Sequence, residues 1–223
     1  MKPVVIALDG TAACGKGTLA RQLAKHFGFA HLDSGALYRL VALGVLEANG
    51  NPADEADAAR AAAGIDLTRA GDLKIRSDEV SRAASQVAAM PAVRKALFQF
   101  QQDFASRPPG NSSGVVMDGR DITTVICPDA DAKLFVDATP EVRAHRRWLE
   151  LKTLGISRDE RDVLKELNAR DSADRSRPIS PLKRAADADL LDTTDLAIDA
   201  AFAAALALVE PKVRKALAAR PRG

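Results

Sequence analysis

Gly10-Thr11-Ala12-Ala13-Cys14-Gly15-Lys16-Gly17-Thr18 follows the apolar run Val4 to Leu8 and Asp9. It leads into a segment whose apolar residues recur at helical spacing (Leu19, Ala20, Leu23, Ala24, Phe27) and stop at Gly28. Strand, glycine-framed turn, helix is the context in which such a stretch holds phosphate. Glycines let the chain fold back with successive N–H groups pointing inward, and the start of the helix adds partial positive charge. That places Lys16 for the β and γ phosphates of a nucleotide and the Thr18 hydroxyl for Mg²⁺.

A phosphate loop alone does not separate an acceptor kinase from a GTPase switch or a motor. The chain has no Asn-Lys-x-Asp segment to read guanine, and its 223 residues are few for a motor of this kind. Around the loop, residues 115–117 and 133–136 read as buried strands and Leu190-Leu191 as a short one. Residues 34–49, 87–104, 141–154, 159–173 and 196–217 read as helices, the last bent near Pro211. Strands alternating with helices predict an α/β fold, a three-layer sandwich on a parallel sheet. Residues 50–80 are rich in Ala, Asp and Glu and broken by Gly50, Pro52, Gly64 and Gly71, which reads as a small insert of weak character. The expected division is a core of 1–50 and 95–223, an insert of 51–94 and a short mobile lid near 148–165.

Composition removes other classes. With 32 Lys plus Arg against 30 Asp plus Glu, the net charge is +2, which does not suit a chain that tracks a long polyanion. At 47% hydrophobic residues the chain is neither disordered nor collagen-like. One Trp and one Tyr make a poor base-stacking platform, so no nucleic-acid partner is expected. The longest apolar run, Ala200 to Val209, falls short of the roughly 18 residues of a membrane span. No export signal is visible, so a cytoplasmic monomer without a membrane partner is expected. Cys14 and Cys127 lack metal-ligand spacing and read as two reduced thiols.

The rest of the chain supplies dispersed arginines. Ser34 can cap a helix that carries Arg39 in its second turn. Small residues crowd Ser85 ahead of Arg94, which suits either close packing or a tight base pocket. Met117-Asp118-Gly119-Arg120-Asp121 follows a strand, where a parallel sheet presents its ligand crevice. Two carboxylates and an Arg there form either a ligand site or a turn with a local ion pair. Arg170 to Arg177 holds five charges, and Arg143 and Arg147 share a helix face from which to meet ATP or the moving phosphoryl group. Phosphoryl transfer needs alignment and positive charge around the equatorial oxygens, which arginines from several segments provide.

These stretches resemble the bacterial cytidylate kinase family over nearly the whole chain. The likeness is carried by LDSGALYR (32–39), AASQVA (83–88) with PAVR (91–94), DGRD (118–121) with PDA (128–130), RAHRR (143–147), and RDSADRSR (170–177) with SPL (180–182). Lys16-Gly17-Thr18 is the form of the loop found in nucleoside monophosphate kinases. The resemblance implies transfer of phosphoryl from ATP, with Mg²⁺, to CMP or dCMP. It implies that Gly10, Thr11, Ala12, Ala13, Cys14, Gly15, Lys16, Gly17 and Thr18 bind ATP. Ser85, Arg94 and Asp121 would read the cytosine edge, and Arg39, Arg120 and Arg177 would hold the acceptor phosphate. Arg170 and Asp174 would contact the sugar, with Ser34 and Tyr38 shaping the site. Lys16, Arg120, Arg143, Arg147 and Arg177 would act on the transferred group.

The chain departs from the family at Ala13, where glycine is usual, and at Cys14, whose thiol is expected beside the phosphates. The insert before Ser85 is short, so its sheet is expected to be reduced, and Gln101-Gln102 stands where Gln-Arg is expected. A relative acting on UMP, and a nucleotide-responsive binding module without transfer activity, remain open on the sequence.

Overall fold

In a computed structural model the structure describes residues 2–219. The chain divides into two compact units. The larger comprises the described residues up to Leu32 and from Ala105 onward, and the smaller is Asp33–Phe104.

The larger unit is built on a five-stranded sheet of β1 (Val4–Gly10), β2 (Ala30–Asp33), β3 (Gly114–Gly119), β4 (Ala132–Asp137) and β5 (Asp189–Asp192). Their order is β2-β3-β1-β4-β5, with β1 parallel to β3 and β4, and β4 parallel to β5. Every residue of β1 is buried, as its unbroken apolar run requires of a central parallel strand. Val4, Ile6 and Leu8 face one side, where they pack with Leu19, Leu23 and Ala24 of α1 (Lys16–Phe27) and with Ala201, Ala205, Val209 and Val213 of α8 (Ile198–Ala218). The four-residue spacing of the last set gives α8 a single apolar stripe, and the helix continues through Pro211. Alternation turns Val5, Ala7 and Asp9 to the other side. Asp9 there accepts from the N–H groups of Ile122 (2.9 Å) and Thr123 (2.7 Å), in a single turn of π-helix at Ile122–Ile126. α6 (Pro140–Thr153) and α7 (Glu160–Ser176) pack through Ala144, Leu151, Val163 and Leu167 around Ala12.

Register places the site. Asp9 pairs with Gly119, Gly10 with Val136 and Asp137 with Asp192, so the loop, the Arg120 turn and the β4 and β5 ends share the carboxyl edge of the sheet. Gly10 is obligatory there, since a Cβ would collide with the Val136 carbonyl oxygen.

The smaller unit is helical: α2 (Ser34–Glu47), α3 (Glu55–Ala63), α4 (Asp78–Val87) and α5 (Pro91–Ser106), with 3₁₀ turns at Leu67–Gly71 and Leu73–Arg76. α2 is buried nearly all round, through Leu37, Leu40, Val41, Leu43 and Val45. Among the described residues no strand lies between Asp33 and Gly114, in keeping with the expected loss of sheet.

Three local expectations are corrected. The insert has four capped elements where weak structure was expected: Asp54, Asp66, Asp72 and Ser77 each accept an N–H of the turn that follows. The helix expected over 87–104 starts at Pro91, with Val87 the last residue of α4 and Ala88–Met90 parting the two, because the residue before Pro91 is steered out of helical geometry. The cap of α2 is Asp33, which accepts from the Ala36 N–H at 3.1 Å, and Ser34 is the buried first residue of the helix.

Candidate active site

The loop joins the end of β1 to α1 and bends with alternating handedness. Ala13 has φ 59° and Gly15 φ 89°. Such alternation turns successive N–H groups toward one concavity, a nest for an anion. Glycine takes this conformation freely, whereas at Ala13 the Cβ costs roughly 1 kcal/mol. The restricted freedom expected at Ala13 is therefore realised as a strained residue within the cradle. The Cys14 side chain is completely buried and packs with the core residues of β1 and α1, and its charge would act on both Lys16 and Arg120.

Lys16, the first residue of α1, is half-buried, and its ammonium donates to the Thr11 carbonyl at 3.3 Å. Burial, followed by the charge of Arg120, pushes its pKa below the ordinary lysine value. An ammonium held in this way gains stability from an incoming anion. Arg120, one residue past β3, donates from Nε to Asp174 Oδ2 at 2.8 Å and from Nη1 to the Gly119 carbonyl. Burial opposes the ionisation of Asp174, but Arg120, Arg170 and Arg177 outweigh it and hold the carboxyl below its usual range. Arg177 lies 3.8 Å from Asp174 and donates to the Ser180 carbonyl at 2.9 Å. The structure thus brings Lys16, Arg120, Arg170, Asp174 and Arg177 together within the larger unit.

Arg143 and Arg147 are placed otherwise. The Arg143 side chain is 2% exposed and pairs with Asp171 at 2.6 Å, while donating to the carbonyls of Ala138 and Ala12. It holds the outside of the loop, where the sequence placed it facing ATP. Arg147 pairs with Glu150 at 2.9 Å along the same helix. A cavity of about 430 Å³ opens beside this region, lined by Asp137, Pro140, Arg143, Ser172 and Arg175 among others.

Asp121 is buried at the start of the π-turn, which Asp9 and Thr123 fasten from beneath. Burial pushes the Asp9 carboxyl up to about 6.

The smaller unit carries the other expected residues. Arg94 of α5 is buried, donates to the Ala88 carbonyl at 3.1 Å, and lies 5.5 Å from the centre of the Tyr38 ring. The break between α4 and α5 makes this possible, since it exposes that carbonyl. Ser85 of α4 donates to the Ser81 carbonyl at 3.3 Å. Arg39 donates to Asp33 at 2.7 Å across Gly35, where any Cβ would crowd both side chains. The buried Nε–H of Arg39 has no hydrogen-bond partner among the described residues.

Sequence reasoning read Asp118 only as one of two carboxylates beside Arg120 and Asp171 only as a charge of the 170–177 stretch, and it missed Thr193. Asp118 ends β3, is nearly buried, takes His31 at 2.9 Å and lies against Gly17. Its place beside Leu8 in the register was the available signal. The Thr18 hydroxyl and the Asp118 carboxylate are hard oxygen donors that suit Mg²⁺. Among the described residues no three His, Cys, Asp or Glu side chains form a group that could hold a metal ion.

A family model described as Cytidylate kinase matches residues 6–211. A cytidylate kinase of Nitrobacter winogradskyi is 51% identical over 207 residues, covering 93% of this chain and 96% of that one. Another, of Rhodospirillum rubrum, is 46% identical over 212 residues, covering 95% and 100%. Among solved structures, an uncharacterized protein from Eubacterium ventriosum shares the fold at 15% identity, with a TM-score of 0.53 over 93% of this chain and 98% of that one. No helix among the described residues is long and apolar enough to cross a membrane. With the family's pattern matched nearly end to end and its phosphate loop and arginine cluster in place, the chain belongs to the cytidylate kinase family.

Proposed function

We propose that the protein transfers the γ-phosphoryl group of ATP to CMP or dCMP, giving ADP and CDP or dCDP, with Mg²⁺ at the phosphates. The observation that carries this reading is the gathering of Arg120, Arg170 and Arg177 about Asp174, with Lys16 of the loop close to Arg120 and Arg170. Cations outnumber the carboxylate they surround, so the cluster is built for further negative charge.

In this reading the N–H groups of Gly10 to Thr18 and the Lys16 ammonium hold the β and γ phosphates, and Arg147 joins them from α6. Arg120 and Arg177 hold the acceptor phosphate, as does Arg39, while Arg170 and Asp174 orient the sugar. Thr18 Oγ1 ligates Mg²⁺, which when bound neutralises charge on the β and γ oxygens. Ser85, Arg94 and Asp121 read the base, and Ser34 and Tyr38 shape its surroundings. A carboxylate accepts from the amino group at position 4 of cytosine, whereas uracil presents a carbonyl there and leaves both acceptors unpaired. Residues 51–94 serve as the acceptor-binding insert. Residues 148–165, which span the end of α6 and the start of α7, serve as a lid that excludes water. The protein acts in the cytoplasm as a monomer.

A coupled assay of ADP release with CMP, dCMP, UMP and AMP tests this. Turnover with the two cytidine nucleotides, well above the others, is expected. Equal rates on UMP would replace cytosine recognition with a broader specificity, and no acceptor-dependent turnover would favour a nucleotide-binding module.

A further inference from the structure

Ala13 keeps its left-handed conformation inside a loop that must hold that shape to form a nest. Strain of this kind persists when the surroundings over-determine it. Here the surroundings grip the chain on both sides of Ala13, at Ala12 and at Cys14. On one side, the Ala12 N–H donates to Asp171 Oδ1 at 3.2 Å and the Ala12 carbonyl accepts from Arg143 Nη1 at 3.0 Å. On the other side, the Cys14 carbonyl accepts from Thr193 Oγ1 at 3.1 Å. Thr193 is itself fixed by Arg146, which donates to its hydroxyl at 3.1 Å and to its carbonyl at 2.6 Å. These groups come from α6, α7 and the segment after β5, and all are held within the larger unit. The Arg143 and Asp171 side chains are 2% and 3% exposed, so this pair works with little screening by solvent.

We infer that Arg143, Asp171 and Thr193 are positioning residues for nucleotide binding: they form an outer frame that holds the phosphate loop in its nest conformation against the strain at Ala13. The frame touches no phosphate. It preserves the orientation of the N–H groups, so that binding does not also have to reshape the loop. The inference rests on the loop being the nucleotide phosphate site, and it assigns Arg143 a purpose outside the reacting groups.

The frame predicts coupling between remote positions. Thr193→Val keeps the volume and removes the hydroxyl, whereas Ala13→Gly removes the strain the frame works against. Equilibrium binding of ADP by titration calorimetry, together with KM for ATP and kcat, is measured for the wild type, both single variants, the double variant and Thr193→Ser. Thr193→Val is expected to weaken ADP binding and raise KM for ATP about tenfold, with kcat changed much less. In the Ala13→Gly background the same substitution should cost less than about threefold, and Thr193→Ser should bind like the wild type. A residue that only stabilised the fold would lower Tm and leave the two backgrounds equal.

If Thr193→Val does not fold, Asp171→Asn enters the same cycle. Equal factors in both backgrounds overturn the frame. Failure of the wild type to bind ADP at all overturns the phosphate-site reading instead, so the two failures are distinct.

Discussion

Arg120 Nε donates to Asp174 Oδ2 over 2.8 Å, and through that bond the residue after β3 is tied to the last turns of α7. Both side chains are largely buried, and each is proposed to face a different part of one acceptor nucleotide. Asp174→Asn keeps the shape and removes the charge that balances Arg120, Arg170 and Arg177. The loss of a charged hydrogen bond of this kind is worth about 2–3 kcal/mol, so kcat/KM for CMP should fall roughly a hundredfold. Steady-state kinetics at fixed ATP read this directly, and an unchanged kcat/KM would remove Asp174 from the acceptor site.

Lys16 stands at the end of the loop itself, and its ammonium is held below the usual lysine pKa by burial and by Arg120. Phosphate charge would reverse that deficit, most strongly in the transition state. Lys16→Ala should therefore lower kcat by about a thousandfold or more while the circular dichroism spectrum stays that of the wild type. A variant that keeps more than a tenth of the wild-type rate would show that the charge is not used in transfer.

Asp121 is buried at the head of the π-turn. If its carboxylate accepts from the cytosine amino group, Asp121→Ala should weaken CMP more than UMP. The ratio of their kcat/KM values should drop about tenfold to a hundredfold. Parallel losses on both substrates would assign Asp121 to the turn alone.

The parts of this architecture legible in the sequence are those fixed by local chemistry. An unbroken apolar strand, Gly10, Lys16 and a stripe ending at Gly28 specify β1, the loop and α1, because each residue is demanded by its own backbone or burial. The break between α4 and α5 was hidden. Val93, Leu97, Phe100 and Phe104 all lie in α5 and their periodicity does not mark where it starts, while the signal for the break was Pro91, a favoured first residue of a helix. Asp33 and Ser34 are both good caps, and only packing decides between them. Arg143 reads from the sequence as facing ATP and the moving phosphoryl group because its partner, Asp171, sits on the next helix, where sequence spacing does not reveal the pair.

Asp9 gives the last prediction, in which the sign is decisive. Burial raises its carboxyl from 3.8 to about 6, despite hydrogen bonds from Thr123 and Ile122 that favour the charged form, and Asp121 adds to the rise. The folded chain therefore binds this proton more tightly than the unfolded chain does. Its contribution to stability is full below pH 3.8 and is lost as pH rises to about 6. The loss is on the order of 3 kcal/mol. Asp9→Asn carries no such titration and retains an acceptor for the π-turn. Urea unfolding of both proteins at intervals from about pH 4 to about pH 7 should show the wild type losing ground to the variant as pH rises, with the gap levelling off near the upper end. Other carboxylates titrate in both proteins and cancel in the difference. Curves that stay parallel across the range would mean that Asp9 is ionised throughout, and that the Ile122 and Thr123 bonds outweigh its burial.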